Sequence, residues 1–496
     1  LLGVDAGRAL VTTYDGDAAT GYVTRLAVIN TVTGVQVGAG LSVDGYAAGT
    51  QLLGVDAGRA LVTTYDGDAG AGDVTRLAVI NTVTGMQAGN TVNLLGKAFD
   101  TQLLGTGGSR IMVTTQAYDS LYDSSTFTVR LAVVDTATGT QLGTTFSLNG
   151  APWGGPVVSA DGTRALITTQ VAPPYEWNPN IKRVALINIP TGTQVGTTLS
   201  GGDVSARFSA DGTRVLFTAF DREAVITTAA VINSSTGAKV GATLTLPGEM
   251  TDVVSTPDGS RAAITSRHYD SATRHFVTLV ALINTATGTQ VGTTLSLAGE
   301  SSGPAFLQFT ADASHLVIST PLYSSGGNSI DKDMRITVIS MTDGKQMGLG
   351  LVLPGGYVTG PPMLTAGGSR LLLLTDVFDG AARTYSARVA VLDIATGTQI
   401  GTTLIFGDRI TYRPVLLSAN GTHALLAYTT TSIFGFSTRL VVVNTLTGTQ
   451  TGSLIVSGGL VREPRISADG TRAFVATGVY NSRTSVTTRI AILQIV

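Results

Sequence analysis

Apolar positions in this chain come in short runs, each four to eight residues long, rich in Val, Ile, Leu and Thr and bounded by Gly, Asn or Asp. Ala165–Thr169, Arg183–Asn188 and Thr193–Leu199 are examples. No window sustains apolar residues at helical spacing, so the pattern predicts strands and turns, not helices. Two kinds of strand can be told apart. Leu26–Ile29 and Leu440–Val443 are apolar at consecutive positions, which requires cover on both faces. Gln290–Leu297 is more polar and Thr-rich, as an edge strand facing solvent should be.

The runs repeat. A turn of the form A-D-G-T-R, with variants, ends at Arg8, Arg59, Arg110, Arg164, Arg214, Arg261, His315, Arg370, His423 and Arg472. Its spacings of 47 to 55 residues divide the chain into ten units. Four strands fit in each, and a period of about 50 residues is that of a four-stranded propeller blade. Units one and two are nearly identical, Leu2–Ala18 recurring as Leu53–Ala69, a mark of duplication. The expected fold is all-β: a β-propeller of ten four-stranded blades in one ring, 1–496 forming a single domain. The alternative is two tandem five-bladed propellers. One ring is favoured because the Arg214 to Arg261 interval is the shortest, at 47 residues, with no Pro/Ser-rich spacer. The chain starts at a first strand, Leu1–Val4, and stops at a third, Ile490–Leu493. The tenth blade is therefore expected to lack its outer strand, with residues preceding Leu1 supplying it.

The turns have a mechanism. In Asn284–Gly288 a short polar residue opens the turn, and a Gly four positions on takes the positive φ that closes a bulged hairpin. The same Gly recurs at 34, 85, 139, 192, 237, 344, 397 and 448. The Asp of each A-D-G-T-R turn is read as bonding backbone amides.

The pattern S-A-D-G-T-R-A-L-I-T-T, then R-V-A-L-I-N-x-x-T-G-T-Q-V-G, resembles the YVTN-type β-propeller repeat of bacterial exported and surface proteins. Its Thr-rich variant T-A-T-G-T-Q-V-G-T-T-L is similar to arrays in actinobacterial, mycobacterial-type envelope proteins. The resemblance covers essentially the whole chain. It implies a secreted or cell-surface location and a scaffold or adhesin role, with a few enzymes among the relatives.

Charge narrows the partners. With 31 basic against 33 acidic residues the net charge is -2, which argues against nucleic acid and polybasic membrane binding. Zero Cys excludes disulfides, thiolate metal sites and thiol nucleophiles. No run of 18 apolar residues occurs, so membrane insertion is not expected. Low charge and Thr-rich edges favour self-association.

Candidate chemistry is sparse. Gly299–Gly303 matches G-x-S-x-G but lacks the strand-to-helix context that a nucleophilic Ser301 needs. His315 and His423 replace the turn Arg and are expected to be solvated. His268, Asp270 and His275 share one loop at weak metal-ligand spacing. Asp15-Gly16-Asp17 and Asp66-Gly67-Asp68 lack the later ligands of a calcium loop. First-strand segments such as Val157–Ser159 and Leu416–Ser418 offer almost no titratable group. No catalytic residue, metal or cofactor is therefore assigned. The variable loops between second and third strands and the links between blades fall on one face. They carry Tyr118, Tyr122, Trp153, Tyr175, Trp177, Arg409, Tyr412, Arg413, Arg462, Glu463 and Arg465. Aromatic area beside forked donors suits partner contact. The expected function is non-catalytic, an extracellular or cell-envelope scaffold or binding module recognising a protein or polysaccharide through that face. The alternative is a propeller lyase or hydrolase acting at the channel mouth.

Overall fold

The computed structural model describes residues 4–5, 7–17, 21–53, 58–68, 72–105, 108–118, 127–171, 181–299, 307–322, 333–353, 357–358, 362–379, 384–406, 415–432, 435–457, 460–482 and 485–495. The described residues form ten antiparallel sheets, each built from strands consecutive in sequence. They are numbered here in chain order: sheet 1 over 4–44, sheet 2 over 46–95, sheet 3 over 97–149, sheet 4 over 151–201, sheet 5 over 203–247, sheet 6 over 249–298, sheet 7 over 307–353, sheet 8 over 357–406, sheet 9 over 415–457 and sheet 10 over 460–494. Sheets 1 to 9 run first to fourth strand in order; sheet 10 has three strands, Leu460–Ile466, Arg472–Ser482 and Ser485–Gln494. In sheets 4 and 8 the first strand comes in two short pieces, and in sheet 4 the fourth does too. Among the described residues no helix is long and apolar enough to cross a membrane.

The chain forms two compact units, the first holding Leu1–Thr245 with the turns 258–260 and 285–288, and so sheets 1–5 but for the last two residues of sheet 5, the second holding the rest, with sheets 6–10. Within each, successive sheets pack face to face. In the first unit Leu131 and Val133 of sheet 3 meet Ala165, Ala185 and Ile187 of sheet 4 in one buried cluster. In the second, Val389 and Val391 of sheet 8 meet Ala424, Leu426, Val441 and Val443 of sheet 9. Alternate residues of one middle strand point to opposite neighbours. Thus Ala132 and Val134 pack toward sheet 2, Leu131 and Val133 toward sheet 4. That explains why the middle strands read as continuously apolar.

The Thr- and Gly-rich motif sets how close the sheets come. In sheet 3, Asp135 Oδ1 accepts the amides of Ala137 and Thr138, and the Gly139 amide closes the turn on the Asp135 carbonyl at 2.8 Å. The hydroxyls of Thr138 and Thr140 bond at 2.7 Å. In the fourth strand, pairing passes from Val133↔Leu142 to Leu131↔Phe146, which leaves a bulge at Gly143. Gln141 Nε2 braces it by donating to Thr145 Oγ1 at 3.1 Å. The bulge Gly of one sheet then meets the turn Gly of the next. A Cβ on Gly139 would lie 1.7 Å from the Ala88 carbonyl oxygen, and one on Gly89 2.2 Å from that of Thr138. The pairing recurs at Gly38–Gly85, Gly143–Gly192 and Gly196–Gly237 in the first unit, and at Gly292–Gly344, Gly348–Gly397 and Gly401–Gly448 in the second. Any side chain at these points would have to push two sheets apart.

The A-D-G-T-R turn holds itself and its neighbour. Ser159 Oγ donates to Asp161 Oδ1 at 2.6 Å and accepts the Arg164 amide, while Asp161 Oδ1 accepts the Thr163 amide. The Arg reaches across to the next sheet: Arg164 Nε donates to the Ser234 carbonyl at 2.9 Å, Arg8 Nε to that of Thr82 at 3.3 Å, and Arg261 to that of Met341. The sequence pattern marks this Arg as a turn residue; it is also a tie between sheets. The two histidines in its place differ from the solvated expectation. His315 and His423 are half-buried, their Nδ1 atoms 2.7 Å from Ser314 Oγ and 3.0 Å from Thr422 Oγ1. Burial lowers the pKa of His423, because the neighbouring turn at Gly470 lies against its ring.

This packing can be tested at a glycine and at an aspartate. Gly34 is the same turn position in sheet 1, at φ +70, with nothing within 4 Å of a built Cβ. Gly34→Ala should cost about 1 kcal/mol from backbone strain alone, and Gly139→Ala about 2–4 kcal/mol because overpacking between sheets is added. Denaturant melts compare the two, and equal losses would contradict the close-approach argument. Asp312 is held at about 2, chiefly by the Thr310 hydroxyl and then by the Ser314 amide and hydroxyl. A lowered folded pKa stabilises above the unfolded value, about 3.9, and that stabilisation is lost as pH falls through the folded one. Asp312→Asn should therefore lower Tm most at neutral pH, with the gap to the parent closing between about pH 4 and 2. Asn420, which accepts the Ser418 hydroxyl and the Thr422 amide in sheet 9, shows that the amide fits the turn.

Candidate functional site

The links from a fourth strand to the next first strand are single glycines in several places: Gly45, Gly96, Gly150 and Gly248. Each has positive φ, 92° to 116°. So short a link fixes the next residue at the sheet's edge: Tyr46, Lys97, Ala151 and Glu249. A bulge comes next in the first strand, at Ala48 in sheet 2, Phe99 in sheet 3 and Thr251 in sheet 6. A bulged residue is turned out of the ladder, and the corresponding residue of sheet 4 is Trp153, which is 50% exposed.

In the first unit this edge carries a row of rings. Tyr14 and Tyr22 of sheet 1 stand edge to face with centroids 6.4 Å apart, Tyr22 and Tyr46 come next at 5.9 Å, and Tyr46 and Tyr65 of sheet 2 at 5.3 Å. Edge-to-face contact is the favoured arrangement for aromatic quadrupoles. Lys97 of sheet 3 places its Nζ 5.8 Å from the Tyr65 centroid. Tyr46, Tyr65, Lys97, Phe99 and Asp100 line a cleft of about 320 Å³ between the first strands of sheets 2 and 3. Burial, the Asp73 charge and Tyr22 raise the Tyr46 pKa, so its hydroxyl stays protonated and can donate. Asp100 is held in place: Gln102 Nε2 donates to its Oδ2 at 2.9 Å and also to the Pro156 carbonyl.

Further along the same edge Lys182 Nζ lies 4.2 Å from the Trp153 ring centroid and 3.0 Å from Asp203 Oδ1. Arg222 reaches Asp203 Oδ2 at 2.9 Å. Burial alone would raise the Asp203 pKa, but the hydrogen bonds from Arg222 and Lys182 outweigh it and the net shift is downward. In the second unit, sheet 6 shows a smaller version: Arg267 lies 4.7 Å from the Phe276 ring, which meets Tyr269 edge to face.

Of the sequence candidates, the structure describes the side chains of Trp153, in the first unit, and of Arg465, exposed in the second. Arg462 and Glu463 lie where the first strand of sheet 10 shifts register, and Tyr118 ends a second strand; their side chains lie outside the described residues. Tyr122, Tyr175, Trp177, Arg409, Tyr412, Arg413 and Ser301 also lie outside them. Sequence reasoning missed Tyr46, Lys97, Phe99, Asp100, Lys182 and Asp203. The available signal was the lone Gly ending a fourth strand, because it fixes the next residue at the edge. First strands are correspondingly less bare than Val157–Ser159 implied: Lys97, Asp100, Asp203, Arg207, Glu249 and Asp252 all belong to them.

The weaker candidates have local roles. His268 and His275 sit on paired strands, not a loop, with Asp270 opposite His275. Asp270 accepts the Ala272 amide and the Thr273 hydroxyl, each at 2.9 Å. Asp66 pairs with Arg76 at 3.2 Å, and Asp15 with Arg25 at 3.4 Å.

No family model and no curated protein matches the chain. It is similar to several solved structures. The β-propeller domain of the Trilobed protease from Pyrococcus furiosus is 11% identical, over 73% of this chain and 93% of that one, with a TM-score of 0.30. The Cps50 (Swd1) β-propeller domain from Myceliophteria thermophila is 13% identical over 70% and 99%, TM-score 0.29. The acylaminoacyl peptidase of Pyrococcus horikoshii is 13% identical over 69% and 51%, TM-score 0.30.

The Lys182 contact yields a prediction. With Trp177 replaced by Phe, Trp153 is the sole tryptophan. Lys182→Met should then shift its emission maximum and cost about 1 kcal/mol, as the ring loses its cation and Asp203 a partner. Unchanged emission would mean that the ammonium does not sit on the ring in solution.

Proposed function

We propose that the protein is a non-catalytic binding module, recognising a protein or envelope polysaccharide through the edge that carries the tyrosine row and Trp153. The observation that carries this reading is the continuity of that edge. Four tyrosines, Lys97, Phe99 and the Trp153–Lys182–Asp203–Arg222 group all project from first strands and the adjoining ends of second and third strands in one unit. Rigid aromatic area with charged donors beside it is what contact surfaces use. Ion pairs and ring contacts already fix the side chains, which limits the ordering cost of binding.

The sheets are read as blades, ten in one ring, with two five-bladed rings the alternative. Stacking as blades is supported by the common strand order of sheets 1 to 9 and by the repeated glycine and apolar contacts between successive sheets within each unit. A secreted or cell-surface site of action accords with the Thr-rich repeat. Class averages in electron microscopy count the blades directly.

The binding reading is tested with purified protein on immobilised envelope polysaccharide and envelope protein fractions. Trp153→Ala should weaken retention about tenfold, the scale of a contact worth about 1.4 kcal/mol. Val83→Ser, on an exposed Gly-closed turn, should leave it unchanged. Equal effects of the two substitutions, or no retention on either fraction, would overturn the assignment.

A further inference from the structure

The cleft between the first strands of sheets 2 and 3 is concave. Its volume of about 320 Å³ is at the small end of the about 300–1,000 Å³ typical of small-molecule sites. Tyr46, Tyr65, Phe99, Lys97 and Asp100 are among the residues that line it. Phe99 is 46% exposed although its strand is held on both sides of the bulge, by Thr114↔Asp100 and Thr115↔Ala98. An apolar ring is thus displayed on a fixed backbone.

Charge selects the occupant. Tyr65 and its neighbours could form a cage for a cation, but the Lys97 ammonium already lies over the Tyr65 ring and repels a second positive charge. An anion would meet the Asp100 carboxylate in the wall. What remains is a neutral ligand with an apolar face and many hydroxyls. The C–H face of a pyranose carries slight positive charge and stacks on the negative face of an aromatic ring. Its hydroxyls would donate to Asp100 and accept from Lys97 and the Tyr46 hydroxyl. Asp100 Oδ1 carries no hydrogen bond among the described residues, and Oδ2 is held by Gln102.

We propose that this cleft binds a neutral sugar residue of a glycan, stacked on Phe99 and hydrogen-bonded by Asp100 and Lys97. The proposal rests on the binding-module reading and names its ligand class at one site. Saturation-transfer NMR with the full chain would use maltotriose, mannotriose and a galactan trisaccharide as probes, with an oligogalacturonate and choline as charged controls. Transfer to the ring C–H protons of at least one neutral sugar is expected. Phe99→Ala should weaken it about tenfold, with the thermal melt unchanged and Phe99→Trp restoring it. Transfer from none of the neutral sugars at millimolar concentration, transfer indifferent to Phe99→Ala, or preference for a charged control would overturn it. If retention on envelope fractions remains sensitive to Trp153→Ala in that event, only the cleft assignment fails and the recognition edge stands.

Discussion

The distance between successive sheets is the constraint on which the structure depends, and the absence of a Cβ at two facing glycines sets it. The bulge in the fourth strand brings Gly89 against the turn that Gly139 closes, backbone on backbone. Hydrophobic burial supplies the attraction, since Leu131, Val133 and their counterparts lose nearly all contact with water. Attraction alone would tolerate many separations. The glycine contact selects one, and the Arg ties of Arg8, Arg164 and Arg261 reach carbonyls of the neighbouring sheet's turn region as well.

This division of labour explains where sequence variety is found. The Gly-closed turns, the A-D-G-T-R turns and the middle strands are committed to sheet-to-sheet packing, so they repeat nearly unchanged. The other end, where the first strands of sheets 2, 3, 4 and 6 begin after a lone Gly, lies outside these glycine contacts. Tyr46, Lys97, Ala151 and Glu249 occupy one register position in four sheets and share no chemistry. A backbone that places side chains reproducibly while leaving their identity open is a suitable base for a recognition surface.

Much of this was legible in the residues. Period, strand number and order came from the spacing of the A-D-G-T-R turn, because hydrogen bonds within the turn such as Ser159–Asp161 need those residue types. Continuous apolar middle strands correctly implied cover on both faces. The polar, Thr-rich fourth strand was legible as an edge, but the reason for its Gly was not: that Gly143 sits in a bulge against Gly192 depends on a neighbour about 50 residues away. The edge that carries the tyrosine row and Trp153 was poorly legible as residues. Trp153 stood out as a rare aromatic, whereas Phe99 reads as an ordinary strand residue until the bulge turns it outward. Lys182 and Asp203 became partners only through the packing of sheets 4 and 5.

A double-mutant cycle on Gly89 and Gly139 tests the central claim most directly. If the two glycines are one contact, Gly89→Ala already forces the sheets apart, and adding Gly139→Ala should cost only its backbone strain. The account predicts a double mutant less destabilised than the sum of the singles by about 1–3 kcal/mol in equilibrium denaturation. Additivity to within about 0.5 kcal/mol would show that each glycine serves its own turn, and that something other than their mutual approach spaces the sheets.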